Sequence, residues 1–159
     1  MKASFHIVGC AVAREPAAGA MDECLDWLRR HGAEALAHNE RELVFVKFDA
    51  ADAALVDFGC RTAARHRPPL LRFGFASGIK EGTSDGQPRL GERGIVQACD
   101  LAGAAQPGQV LLSSQLGSLL QVAQIEPASR LRSLRVSLLD GRSASAYTVE
   151  PRRRAAATG

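Results

Sequence analysis

His6 stands between Phe5 and Ile7 in the stretch "KASFHIVGC". An imidazole there could ligate a metal or carry a proton. The other histidines, His31, His38 and His66, fall in different segments, and none stands at zinc-ligand spacing. The cysteines Cys10, Cys24, Cys60 and Cys99 form no C-x-x-C pair and match no zinc framework. Each has apolar neighbours, so reduced, mostly buried thiols in a cytoplasmic protein are expected. Asp49, Asp52 and Asp57 read better as the capped, solvated start of a helix than as a carboxylate site. Asp22, Glu23 and Asp26 read as the polar face of an earlier helix. Ser113, Ser114 and Ser118 have no His/Asp arrangement near them in sequence to activate a nucleophile. "GTSDGQPRLGERG" is glycine-rich but lacks the G-K-[ST] of a phosphate-cradling loop.

These residues are carried by a readable series of elements. Residues 3–9 alternate as a strand. "MDECLDWLRRHG" has apolar residues at 21, 24, 25 and 28, the spacing of one helix face, and Gly32 suits its C-terminal stop. "AEALAH" and "ELVFVKF" form a hairpin around Asn39, Glu40 and Arg41, with the second strand covered on both sides. Asp49 caps a helix in "AADAALVDFGCRTAARH", and residues 70–78 form another strand. Residues 79–94 make an extended loop or short arm. "IVQACDLAGAA" is a short helix stopped by Pro107-Gly108. "QVLLS" is a buried strand, "SQLGSLL" a helix capped by Ser113 or Ser114, and two last strands meet at the Asp140-Gly141 turn. The first six elements run β-α-β-β-α-β. That is the ferredoxin-like order, an α+β fold with two helices covering one face of an antiparallel sheet. A C-terminal α-β-α and a β-hairpin follow.

A chain of 159 residues with 46% hydrophobic and 23% charged residues suits one domain, here residues 1–150. Residues 151–159, "PRRRAAATG", read as a disordered basic tail. The net charge of +3 gives no reason to expect nucleic acid. No window reaches the roughly 18 apolar residues of a membrane span, and no secretory leader is visible, so no membrane partner is expected.

"QACDLAGAAQPGQVLLSSQLGSLL", residues 97–120, resembles the class III adenylate/guanylate cyclase catalytic domain, which typically reads V-N-x-A-A-R-L-x-x-x-A-x-P-G-Q-V-L-x-S here. "LRFGFASG" is similar to the family's strand ending in H-T-G or A-S-G. "RRHGAEALAHNERELVFVKFDAADAALV" resembles R-H-G-G-x-x-x-K-x-x-G-D-G-x-x-A-x-F-x-x-x-x-D-A. "SFHIVGC" is similar to F-x-D-I-V-G-F, and "ASAYTVEP" to the closing V-x-V-Y-x-V. The matches run in order along almost the whole chain and agree with the nucleotide-cyclase-like, ferredoxin-like order of elements.

The resemblance implies a site in which two aspartates hold two metal ions, and in which Asn and Arg steady the transition state. In this alignment His6 takes the first aspartate's place and Glu42 the second's. Arg41 and Leu43 replace the flanking glycines. His38 falls near the purine-selecting lysine, Val96 at the asparagine and Asp100 at the arginine. Arg89 and Arg93 do not sit where the family arginine would. Asp100 would put negative charge where a polyphosphate gains it. The expectation is a degenerate cyclase-like domain with no catalytic residues, no metal and no cofactor. It would serve as a protein-interaction or regulatory module in bacterial-type cytoplasmic signalling. Its partners would be a second copy, or a cyclase, kinase or response regulator. The alternative is a non-catalytic sensor of a nucleotide or other small ligand, using Glu42, His38, Arg41 and Arg93. A residual cyclase completed by a partner is the third reading.

Overall fold

Alternating side chains make β1 (Phe5–Ala13) a strand buried on both faces. Ile7 and Ala11 point to one side, Val8 and Cys10 to the other. The computed structural model describes residues 5–65, 70–78, 80–81 and 89–151. Next to β1 lie β3 (Glu42–Ala50) and β4 (Leu71–Ser77), both antiparallel to it. β2 (Glu34–His38) pairs with β3 at one edge. Beyond β4 come β7 (Val110–Ser113), parallel to β4, then β9 (Ser143–Val149) and β8 (Leu131–Ser137). The sheet therefore has seven strands in the order β2-β3-β1-β4-β7-β9-β8. Its first four strands have the ferredoxin-like arrangement expected from the element order.

Three helices share one face: α1 (Ala18–Arg30), α2 (Ala54–Arg65) and α4 (Ser114–Ala123). Met21, Cys24, Leu25 and Leu28 of α1 are the buried residues of the 3.6-residue stripe seen in the sequence. Ser113 caps α4, its hydroxyl oxygen accepting the Leu116 N–H at 3.1 Å. α3 (Glu92–Ala104) lies on the opposite face, where Ala98 and Ala102 pack with Val8, Cys10, Val44 and Ala76. The fit is tight because Gly74 has no side chain. A Cβ there would strike the Ala98 carbonyl oxygen and lie 2.5 Å from the Ala102 nitrogen.

Two sequence expectations change. β1 does not stop at residue 9 but continues to Ala13. Gly9 is not a strand end. It sits mid-strand because the Phe45 and Phe75 rings fill the space a side chain would need. Asp49 does not cap α2. It is the penultimate residue of β3, with a left-handed φ of 51°, and Asp52 instead accepts the Ala54 N–H at 3.0 Å. The glycine-rich arm lies largely outside the described residues. Its described ends, β5 (Lys80–Glu81) and β6 (Arg89–Leu90), pair as a short antiparallel ribbon. Residues 152–159 of the basic tail also lie outside the described residues.

Candidate functional site

The β2–β3 hairpin is closed by Asn39. Its Oδ1 accepts the N–H groups of Arg41 at 2.8 Å and Glu42 at 2.9 Å, and its own N–H donates to the Glu42 carbonyl at 2.9 Å. The turn's carbonyls are also used. Arg41 accepts the Ala13 N–H and Glu40 accepts the Ala17 N–H, each at 2.8 Å. This lashes the turn to the end of β1 and the start of α1. The N–H groups of Arg41 and Glu42, which could face an anion, are spent within the turn.

The register separates the two former metal positions inferred from the alignment. Ile7 faces Lys47 and Val12 faces Glu42. His6 and Glu42 thus lie at opposite ends of the β1–β3 ladder, about 20 Å apart at ~3.3 Å per residue. They cannot hold one metal pair, which corrects the placement of His6. Its Nδ1 accepts the Asp49 N–H at 3.1 Å, and its ring meets Phe48 edge-on at 5.7 Å. His6 is a tie at the far end of the sheet. The misplacement follows from reading β1 as ending at Gly9. Opposite Glu42 and the hairpin, β1 presents Ala11, Val12 and Ala13.

The other positions do not converge with Glu42 either. His38 pairs with Leu43, on the α1 side of the sheet, and its Nε2 lies 3.6 Å from Asp22 Oδ1. Val96 is exposed on the outer surface of α3. Asp100, one turn on, lies 3.4 Å from Arg142 Nη2. Arg142 also pairs with Asp140 at 2.5 Å, and the Arg142 backbone N–H together with this charged hydrogen bond holds the Asp140 carboxyl below its usual range. Asp100 is therefore part of a surface ion network with the β8–β9 turn.

The structure instead gives Glu42 two neighbours that sequence spacing did not suggest. Cys10 of β1, Cys99 of α3 and Glu42 have ligand atoms within 4.8 Å of one another. Among the described residues this is the one cluster of three or more His, Cys, Asp or Glu groups able to surround a metal. Cys10 is fully buried, and Cys99 is half-buried. Interaction between the neighbouring thiols holds Cys99 below the usual thiol range and, together with burial, pushes Cys10 far up. The signal in the sequence was periodicity. Cys10 shares the parity of Val8 and Val12 in a strand that runs through Gly9. Cys99 lies at i+4 from Ile95 on the inward stripe of α3.

The pair of Mg²⁺ ions implied by the resemblance does not fit this donor set. Mg²⁺ takes oxygen ligands in octahedral geometry, and two of the three clustered groups are sulfur.

No protein-family model matches the chain, and no curated protein matches it. Solved structures do. The adenylyl cyclase CyaB from P. aeruginosa superposes with a TM-score of 0.65 at 16% identity, over 95% of this chain and 96% of that one. The guanylate cyclase domain of RhGC from Catenaria anguillulae, solved in complex with GTP, gives 0.62 at 11% identity over 94% and 98%. The guanylyl cyclase Cya2 gives 0.62 at 12% over 98% of both chains. The chain has the fold of adenylyl and guanylyl cyclase catalytic domains over nearly its whole length. No helix is long and apolar enough to cross a membrane.

Proposed function

We propose that this chain is a cyclase-fold domain without cyclase chemistry, acting as an interaction module in signalling. The observation that carries this reading is the company Glu42 keeps. Transfer of a nucleotide's phosphoryl group rests on hard cations that bridge oxygens and neutralise developing charge. Here the carboxylate has Val12 as its neighbour across β1 and sits beside two thiols. The hairpin N–H groups are already bonded to Asn39. On α3, Val96 and Asp100 replace the asparagine and arginine that the resemblance calls for.

What remains is a sheet with α3 packed across one face and its outer side exposed. Val96 on α3 is exposed, and so is Leu139 of the β8–β9 turn, which packs beside Gly103 of α3. An exposed valine on α3 with an exposed leucine of the neighbouring turn suits a protein partner, either a second copy or a signalling protein of related fold. Light scattering and pull-down from the native cytosol test this. A dimer or a captured signalling protein supports the reading, and a lone monomer in both overturns it. Calorimetry with ATP, GTP and their cyclic products tests the ligand-sensor alternative, which heat of binding without turnover would favour.

A further inference from the structure

Cys10, Glu42 and Cys99 come from three elements that share no sequence proximity, β1, β3 and α3. Their side chains meet because Cys10, Val44 and Glu42 all project from the sheet face that α3 covers. Gly74 lets α3 approach closely enough for Cys99 to complete the group. From this geometry we infer a binding site for a thiophilic transition-metal ion, Zn²⁺ in the first instance, with Cys10, Cys99 and Glu42 as ligands.

The dimensions suit it. Tetrahedral zinc with Zn–S of ~2.3 Å sets its sulfurs roughly 3.8 Å apart, and a carboxylate oxygen at a similar separation. Ligand atoms already within 4.8 Å of one another need to close by about 1 Å at most. Two thiolates select Zn²⁺ over Mg²⁺ or Ca²⁺, which prefer oxygen. Three protein ligands leave the fourth position to water. Access is on the Glu42 side, where an open concavity is lined by Val12, Ala13, Asn39, Glu40, Arg41 and Glu42 itself. Cys10, fully buried, is the innermost of the three ligands. Bound there, the ion pins α3 to β1 and β3. The inference does not depend on the proposed function, because the ligand set and its test are the same whether or not the domain has a protein partner.

The test uses the full chain, reduced and stripped of metal with a chelator. It is titrated with Co²⁺ in excess Mg²⁺, then with Zn²⁺. The expected result is about one Co²⁺ per chain with the sulfur-to-cobalt charge-transfer absorption of thiolate ligation, displaced by Zn²⁺ and untouched by Mg²⁺. Cys99→Ser should weaken Zn²⁺ binding by at least about 100-fold, and Glu42→Gln by about 10-fold or more. Neither residue is fully buried, so both variants are expected to fold, with circular dichroism as the check. Cys60→Ser, on α2, should bind as the unmodified chain does. Absence of the charge-transfer band in the unmodified chain overturns the inference, as does a band that survives Cys99→Ser. So does a Cys10–Cys99 disulfide that forms in air at a rate Zn²⁺ does not slow, since bound metal holds both thiolates.

Discussion

His6 and Glu42 sit at opposite ends of the β1–β3 ladder, one bonded to the Asp49 N–H and the other beside Cys10 and Cys99. The histidine therefore has a local duty. Its ring nitrogen is the acceptor for the backbone N–H of a left-handed residue, Asp49. His6→Ala should cost about 1 kcal/mol of stability, the worth of one such bond. His6→Asn, whose amide oxygen can accept the same N–H, should recover part of it. Urea denaturation measures both, and metal uptake should be unchanged in either.

Gly74 and Gly9 set how closely the layers approach. At Gly9 the obstacles are the Phe45 and Phe75 side chains, which can shift, so Gly9→Ala should cost about 1–3 kcal/mol. At Gly74 the obstacles are the backbone of α3. Gly74→Ala should therefore destabilise more than Gly9→Ala, and it should also lift Cys99 away from Cys10. Thermal denaturation ranks the two variants. Co²⁺ titration of whichever chains remain folded should show weakened binding only for Gly74→Ala.

Loss of the Ser113 hydroxyl removes the acceptor for the Leu116 N–H at the start of α4. Ser113→Ala should cost about 1 kcal/mol, and Ser113→Thr, which keeps the capping hydroxyl, should cost less. Chemical denaturation distinguishes the two.

Stability should fall at alkaline pH. Burial pushes the Cys24 and Cys60 thiols from 9.0 up to about 11. Between these values the unfolded chain loses thiol protons that the folded chain keeps. The stabilisation is thus fully present below pH ~9 and lost as pH rises towards ~11. The loss is at most about 3 kcal/mol per thiol. Denaturation midpoints across this range should drop, and Cys24→Ala should drop less steeply than the unmodified chain once its lower starting stability is subtracted.

Exposed Val96 lies on the α3 surface assigned to a partner. Val96→Asp should leave the melting temperature nearly unchanged and weaken self-association or partner capture by about 10-fold or more. Sedimentation of the two chains at matched concentrations checks it.

Local pattern made much of this fold readable. The stripe at 21, 24, 25 and 28 became the buried face of α1, and the hairpin around Asn39 formed as its alternation required. The Asp140-Gly141 turn forms with a Gly141 φ of 88°. The site was much less readable. Gly9 looks like a strand end, and only the rings of Phe45 and Phe75, distant in sequence, explain why the strand continues. That error moved the alignment of β1 and put His6 where the structure has no site. The meeting of Cys10 with Cys99 depends on which sheet face α3 covers, and no spacing within one segment encodes that choice.

Cyclic nucleotide formation is the direct test of whether this cyclase fold lacks cyclase chemistry. Purified full chain is incubated with ATP or GTP and Mn²⁺, and the products are separated by chromatography. A domain without cyclase chemistry gives no cyclic product above a blank without protein. Product above that blank, lost when Glu42 is changed to alanine, would contradict it.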